Sequence, residues 1–248
     1  MESWHENDEF WQQMAHKIFT LRHWEGAPSA VEHMVSLMGL QPGATILDLC
    51  CGPGRHTLEL ARRGFGVTGV DRTSLYLDQA RAQAEKEGLE VELVQADMRT
   101  FRRPEAFDGA INMYTSFGYF EDPSEERQVL LNLYASLKPG GALLMDMSGK
   151  EVVASMWRER EWNEIEGVIY LEERKVRPGW DWMDNRWTML KGSERKDFTL
   201  SIRLYSAAEL TSLLKEAGFS SIQVFGDLEG GPYDHTAKRL VALARKQG

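Results

Sequence analysis

The chain has almost no cysteine. The two it holds in 248 residues, Cys50 and Cys51, are neighbours. Adjacent cysteines seldom meet the geometry of a disulfide, and two of them make no disulfide framework. They close a run with the composition of a buried strand, where small apolar residues belong, and no histidine beyond His56 stands near enough in sequence to activate either thiol. Long apolar runs are also missing: none approaches the roughly 18 residues of a membrane span. The first ten residues, from Met1 to Phe10, are acidic and lack the apolar stretch of a signal peptide, so a cytoplasmic protein with no membrane partner is expected. Positive charge is in deficit. With 29 Lys and Arg against 38 Asp and Glu, the net charge of -9 argues against a broad surface for a phosphate backbone. Arg55, Arg62, Arg63, Arg102 and Arg103 either cluster as a local basic patch or scatter as solvated charges. Repeats and low-complexity segments are absent, and no metal site is assigned.

Against these absences stands one dense stretch, Thr45 to Gly64. The apolar residues Ile46, Leu47 and Leu49, interrupted by Asp48, suit a buried parallel strand. Cys50-Cys51-Gly52-Pro53-Gly54 follows, where two glycines let the backbone turn sharply and approach a ligand. Arg55 to Arg63 then reads as a helix with Gly64 as its stop. Strand, glycine turn and helix open the nucleotide-binding half of a doubly wound α/β sheet.

Two helices are expected ahead of that strand, over 9–22 and from Pro28 to Gly39. They pack on the sheet, cover its ligand, or do both. Gly66 to Asp71 reads as the second strand, followed by a helix capped by Thr73 or Ser74. Leu89 to Gln95 and Phe107 to Met113 read as strands three and four. Asp122-Pro123-Ser124-Glu125 supplies a cap, a first-turn proline and a capping-box acid for the next helix. Ala142 to Met147 is the fifth strand. Alternation then changes character over 150–204, which holds five of the eight tryptophans. Three alternating runs there, near 168–171, 186–190 and 198–202, predict an antiparallel insertion of about three strands. A capping box at Ser206 to Glu209 reopens the α/β pattern, which ends with strands at 222–225 and 240–244.

A dinucleotide fingerprint would place a third glycine at 57, where this chain has Thr57. The positions around the turn are more specific. Leu47-Asp48-Leu49-Cys50-Cys51-Gly52-Pro53-Gly54, the acid Asp71 ending strand two, Ala96-Asp97-Met98 after strand three, Phe107-Asp108, and Leu137-Lys138-Pro139-Gly140-Gly141 occur in one order. Residues 45–148 thereby resemble the core of a class I S-adenosylmethionine-dependent methyltransferase. The resemblance implies an α/β fold with a seven-stranded, doubly wound, mostly parallel sheet whose last strand is antiparallel, plus a small antiparallel β insertion after strand five. It divides the chain into an N-terminal helical lid (1–40), an S-adenosylmethionine-binding α/β domain (41–149 and 205–248) and the insertion over the substrate site (150–204).

The same resemblance gives the cofactor-binding set. Gly52 and Gly54 let the main chain approach the methionyl part, and the turn carries no lysine because this cofactor has no phosphate. Asp71 accepts from the ribose hydroxyls, Arg72 stacks on adenine, Asp97 meets the adenine amino group and the Met98 N–H meets the ring. Asn112 offers its carbonyl to the methionyl ammonium. Cys50 belongs to the set, Asp48 orders the loop, and His56 either meets the cofactor or packs. S-adenosylhomocysteine would be the product.

The Asn/Asp-Pro-Pro-Tyr signature of many nucleic-acid and protein amide methylases is absent, Asn112-Met113-Tyr114-Thr115 standing in its place. With the acidic balance, this favours a small-molecule acceptor methylated at N, O or C and argues against nucleic acid. Thr115-Ser116-Phe117-Gly118-Tyr119-Phe120 resembles the loop after strand four in small-molecule methyltransferases, including sugar N-methyltransferases. By that likeness Tyr119 is the catalytic candidate, orienting the nucleophile or accepting its proton; packing is its other reading. Alternative functions are an RNA or protein methyltransferase, or a protein that binds S-adenosylmethionine without catalysis. The motifs specify no oligomeric state.

Overall fold

The computed structural model describes residues 3–248. A seven-stranded sheet forms from β1 (Thr45–Leu49), β2 (Gly66–Asp71), β3 (Val91–Gln95), β4 (Phe107–Asn112), β5 (Leu137–Met147), β10 (Ser221–Phe225) and β11 (Leu240–Arg245). Its inner strands are near-continuously apolar and its edge strands β3 and β10 alternate. Their order is β10-β11-β5-β4-β1-β2-β3, with β11 antiparallel to both neighbours and every other pair parallel. This is the expected fold class. Side chains alternate between two buried faces, as burial on both sides of a parallel sheet requires. Ile46, Ile111, Leu144 and Val241 meet Val31, Met34 and Met38 of α3 (Ala27–Met38) and Leu60 of α4 (Arg55–Arg62). On the other face Leu47, Ala110, Leu143 and Ala242 meet α6 (Pro123–Ser136) and α8 (Ala207–Glu216). The helix α5 (Ser74–Glu87) covers β2 and β3.

Between β5 and α8 the short α7 (Lys150–Ser155) leads into a second sheet, the antiparallel meander β6 (Arg160–Ile165), β7 (Val168–Val176), β8 (Trp182–Lys191) and β9 (Glu194–Arg203). It has four strands where three alternating runs are visible in the sequence. The additional strand β6 lies at an edge, and Arg160, Glu161, Trp162 and Glu164 are all exposed, so no buried face leaves its period. Glu166 and Gly167, at φ +51° and +77°, make the two-residue turn into β7.

The N-terminal helix expected over 9–22 is two helices, α1 (Asp8–Ile18) and α2 (Leu21–Glu25), parted by Thr20 in an extended conformation. Asn7 caps α1, accepting from the Phe10 N–H at 3.1 Å. Phe10 and Met14 are buried against Tyr170, Met189 and Leu200 of the smaller sheet. The Trp11 carbonyl on the same helix accepts from the Tyr76 hydroxyl of α5. Thus α1 joins the two sheets. Among the described residues, no helix is long and apolar enough to cross a membrane.

Candidate active site

The glycine turn is held by the acid one strand away. Asp71 Oδ2 accepts from the Gly52 N–H at 2.8 Å and Oδ1 from the Thr73 N–H at 2.8 Å. One carboxylate therefore fixes the turn after β1 and the start of α5; Thr73 is the N-cap, yet its side chain makes no capping bond. Burial raises the Asp71 pKa, and the Thr73 and Gly52 amides oppose that rise. The turn needs its glycines. Gly54 sits at φ +84°, and a Cβ there would lie 2.8 Å from the Ala80 Cβ. A Cβ on Gly52 would lie 2.9 Å from the Phe19 ring. Cys50 is a non-glycine residue at φ +65°, held there as its N–H donates to the Val70 carbonyl at 2.7 Å.

Thr57 at the third fingerprint position has its own partner. Its hydroxyl donates to Asp48 Oδ2 at 2.7 Å, and both residues are buried. Burial pushes the Asp48 carboxyl up to about 6, with the Thr57 hydrogen bond pulling the other way. Burial likewise pushes both thiols up, so neither Cys50 nor Cys51 is a ready thiolate.

A narrow cleft opens above the turn. Asp48, Cys50, Gly52, His56, Asp71, Arg72, Asp97, Met98 and Tyr119 of the expected set all line it. Gly54 and Asn112 are not on its wall: Gly54 packs on Ala80, and the Asn112 amide donates to the Leu49 carbonyl at 3.1 Å. His56 is buried, and burial and then Arg55 depress its pKa, leaving it neutral. Arg72 turns its guanidinium to Asp8 at 2.8 Å and to the Glu6 carbonyl. The oxygens of Asp97 accept from Arg99, which also reaches Glu6 and Glu125 at 2.8 Å each. Burial pushes the Asp97 carboxyl up, but the Arg99 contacts outweigh it and hold its pKa below the usual value. Glu125 thus serves Arg99; the expected capping box on α6 reduces to Asp122 accepting from the Ser124 N–H.

The residues that sequence reasoning left out are those that close the cleft. His5, Trp11, Ile18 and Phe19 line it from the N-terminal segment, and Arg55, Tyr76 and Tyr114 from the core. The density of aromatics before residue 25 is the sequence signal for the N-terminal four; Arg55, Tyr76 and Tyr114 carry no such local signal. A second cavity, open to solvent, adjoins the first and shares Trp11, Ile18, Tyr114 and Tyr119 with it. Met183, Trp187, Leu200 and Ile202 of the smaller sheet form one wall, and Ser148 and Arg239 of the larger domain another. Lys17 and Arg174 pair with Glu172 inside it, and Arg239 pairs with Asp146 at 2.6 Å. Tyr119 packs edge-on to Trp4 at 4.8 Å between ring centroids, and burial pushes its phenol far above the usual value.

The donor set matches a ligand with a diol, a purine and a zwitterionic tail. Two carboxylates lie at the ends of adjacent strands, a glycine turn exposes main chain, and no lysine lines the cleft to bind a phosphate.

Comparison with known proteins gives the same answer. Residues 46–141 match the model of a methyltransferase domain. The cypemycin N-terminal methyltransferase of Streptomyces sp is 34% identical over 218 residues, 83% of this chain and 84% of that protein. The glycine/sarcosine N-methyltransferase of Halorhodospira halochloris is 23% identical, over 98% and 91% of the two chains. The crystal structure of an S-adenosylmethionine-dependent methyltransferase from Clostridium acetobutylicum superposes with a TM-score of 0.81 at 18% identity, over 96% of this chain and 99% of that one. This chain belongs to the methyltransferase-domain family. It is an S-adenosylmethionine-dependent methyltransferase with the class I Rossmann-like fold.

Proposed function

We propose that the enzyme methylates the nitrogen of a small amine bound in the second cavity. The observation that carries this reading is the adjacency of the two cavities, which meet across Trp11, Ile18, Tyr114 and Tyr119. In-line displacement needs an acceptor atom held against the methyl group with water kept out. When bound in the first cleft, S-adenosylmethionine supplies that methyl group on a sulfonium. Around it, Gly52 offers its main chain while Gly54 turns the chain behind it, Asp71 receives the ribose hydroxyls, and Asp97 and the Met98 N–H receive adenine. Asn112 acts from beneath, through the loop that carries Met113. Arg72 holds the N-terminal segment through Asp8 and Glu6, a role that replaces stacking on adenine.

Tyr119 orients the acceptor through its hydroxyl. Its raised pKa keeps the phenol protonated at neutral pH, which suits a hydrogen-bonding group and not a base. Of the expected lid over 1–40, residues 3–40 act as the lid, the first two lying outside the described residues, and the smaller sheet acts as the roof. Aromatic walls at Trp157 and Trp187 suit an ammonium group on a molecule of limited size and disfavour a nucleic-acid duplex. Glu161 and Glu172 are held by Lys17 and Arg174, and the surplus of cations, with Arg158 and Arg239, suits an amine that also carries a carboxylate. One relative is named a glycine/sarcosine N-methyltransferase and another an N-terminal methyltransferase, names that support an amine acceptor here. The likeness to the second favours one further reading, in which a peptide's terminal amine enters the same cavity.

The test is transfer of labelled methyl from S-adenosylmethionine to a panel of sarcosine, an aminodeoxy sugar nucleotide, a short peptide with a free N-terminus, catechol and bulk RNA. Label on an amine is expected. Label confined to RNA or to catechol would overturn the proposal.

A further inference from the structure

Outside the expected site residues, the rim between the cavities holds a hydrogen-bonded pair from distant parts of the chain. The Tyr114 hydroxyl lies 2.6 Å from His23 Nε2, and His23 Nδ1 lies 3.1 Å from the Thr20 hydroxyl. Tyr114 lines both cavities. We propose that Tyr114 and His23 form a proton relay that removes a proton from the acceptor amine at the junction of the two cavities. This rests on the reading of the second cavity as the acceptor site.

The geometry is built for one direction of transfer. The Thr20 hydroxyl lies against His23 Nδ1 and the Tyr114 hydroxyl against Nε2, so the relay runs with the imidazole proton on Nδ1 and the Nε2 lone pair turned to the phenol. Burial, then Arg55 and Arg22, keep that imidazole neutral. The Tyr114 ring has the Arg55 guanidinium 4.7 Å from its centroid and that of Arg239 at 5.4 Å. Burial raises the phenol's pKa, Asp146 adds to that rise, and the cations Arg55, Arg239 and Arg22 oppose it. At rest the phenol therefore keeps its proton and releases it only as it takes another.

The backbone at this point is strained in a way that aims the ring. Tyr114 and Thr115 sit consecutively at φ +61° and +64°, the left-handed region that non-glycine residues seldom enter. Asp146 holds both: its carbonyl accepts from the Thr115 N–H at 2.9 Å and its Oδ2 from the Tyr114 N–H at 3.3 Å. Arg239 in turn clamps Asp146 at 2.6 and 3.1 Å. An ion pair between β5 and the residue just before β11 thus positions a phenol that packing alone does not require, since Tyr114 is 41% exposed.

The chemistry balances. A protonated amine has no lone pair to give. One N–H proton passes to the Tyr114 oxygen while the Tyr114 proton passes to His23 Nε2, leaving an imidazolium and a neutral amine. The amine lone pair forms the new N–C bond as the C–S bond breaks, and the electrons of that bond stay on sulfur. His23 is half-buried, so its extra proton can leave to water.

The test starts with protein carrying ¹⁵N-labelled histidine, titrated by NMR in the presence of S-adenosylhomocysteine. The expected result is an unprotonated His23 Nε2 at pH 7.5 and a titration midpoint that moves up in Tyr114→Phe, because a donor to the neutral ring is lost. A proton on Nε2, or an unmoved midpoint, would overturn the relay. With sarcosine as the probe amine, Tyr114→Phe and His23→Gln should each lower kcat at least tenfold at pH 7, with KM and S-adenosylhomocysteine affinity changed less than threefold. The loss should shrink towards pH 9.5, where the amine sheds its proton to water unaided. A deficit of equal size at every pH would also overturn it. Failure of the wild-type enzyme to methylate any panel amine would count against the acceptor reading, and the NMR titration would still decide the relay.

Discussion

The cofactor cleft takes its floor from the ends of parallel strands, with Asp71 and the glycine turn joined by a direct hydrogen bond across β1 and β2. The adjoining cavity has no such floor. Its walls come from α1, the smaller sheet, the loop after β4 and the residues before β11. They converge where Phe10 and Met14 lock α1 into the smaller sheet and the Arg203 N–H donates to the Gly118 carbonyl at 2.7 Å. A site built on strand ends inherits the rigidity of the sheet, whereas a site built between layers depends on how those layers dock. The first arrangement suits a cofactor of invariant shape. The second leaves room for a different acceptor with few changes to the core.

If that contrast is right, the largest effect should come from the docking residue. Phe10→Ala removes a buried ring from between α1 and the smaller sheet, a change that costs about 3–5 kcal/mol in a well-packed core. Hydrogen exchange should show β7, β8 and β9 losing protection well before β1, β4 and β5. Uniform loss across both sheets would mean that the two regions are one cooperative unit.

The same contrast explains what could be read in advance. Around Gly52, Asp71 and Asp97 the chemistry lies along the chain: strand, turn and acid follow at short intervals, and parallel strand order then brings them together. Nothing comparable marks the other region. The period of α1 specifies an apolar face but not its partner, so packing on the sheet and covering its ligand stood side by side, and only the fold puts Trp11 and Phe19 on the cleft wall. The edge strand β6 buries neither face and left no alternation. Arg72 and Glu125 have identities that suit several roles, and only the positions of Asp8 and Arg99 decide between them. His23 and Tyr114 are 91 residues apart, and no local pattern joins them.

Asp48 tests the floor from within. Its carboxyl titrates near 6 in the fold against an ordinary 3.8, because burial favours the neutral form. The folded state then binds the proton more tightly than the open chain. The resulting stability, about 3 kcal/mol, is fully present below pH 4 and is lost as pH rises through 6. Asp48→Asn keeps an oxygen for the Thr57 hydroxyl but cannot ionise, so it should be more stable than the wild type at pH 7 and equal to it near pH 4. Urea midpoints at the two pH values measure this; an equal gap at both would show that Asp48 does not titrate on folding.

Asp71→Ala should weaken S-adenosylmethionine binding by about 1–3 kcal/mol, the range for buried donors left without an acceptor. The Gly52 and Thr73 amides lose their partner at the same time, so the turn loosens along with any contact to ribose. Calorimetry reads the affinity directly, and an unchanged value would separate the turn from cofactor binding.

The smallest effect should come from the ion pairs that tie the N-terminal segment to the core. Arg72 meets Asp8 at 2.8 Å with the Asp8 side chain 65% exposed, a pairing that contributes less than about 1 kcal/mol. Arg72→Gln should therefore leave the urea midpoint nearly unchanged. The same variant also removes the bond to the Glu6 carbonyl, close to His5 on the cleft wall. Its effect should appear in cofactor release, followed through tryptophan fluorescence: a faster off-rate at unchanged stability is expected if the segment closes over the cleft. Release at the wild-type rate would make the segment a packing element of the smaller sheet, and Phe10 alone would then account for where it lies.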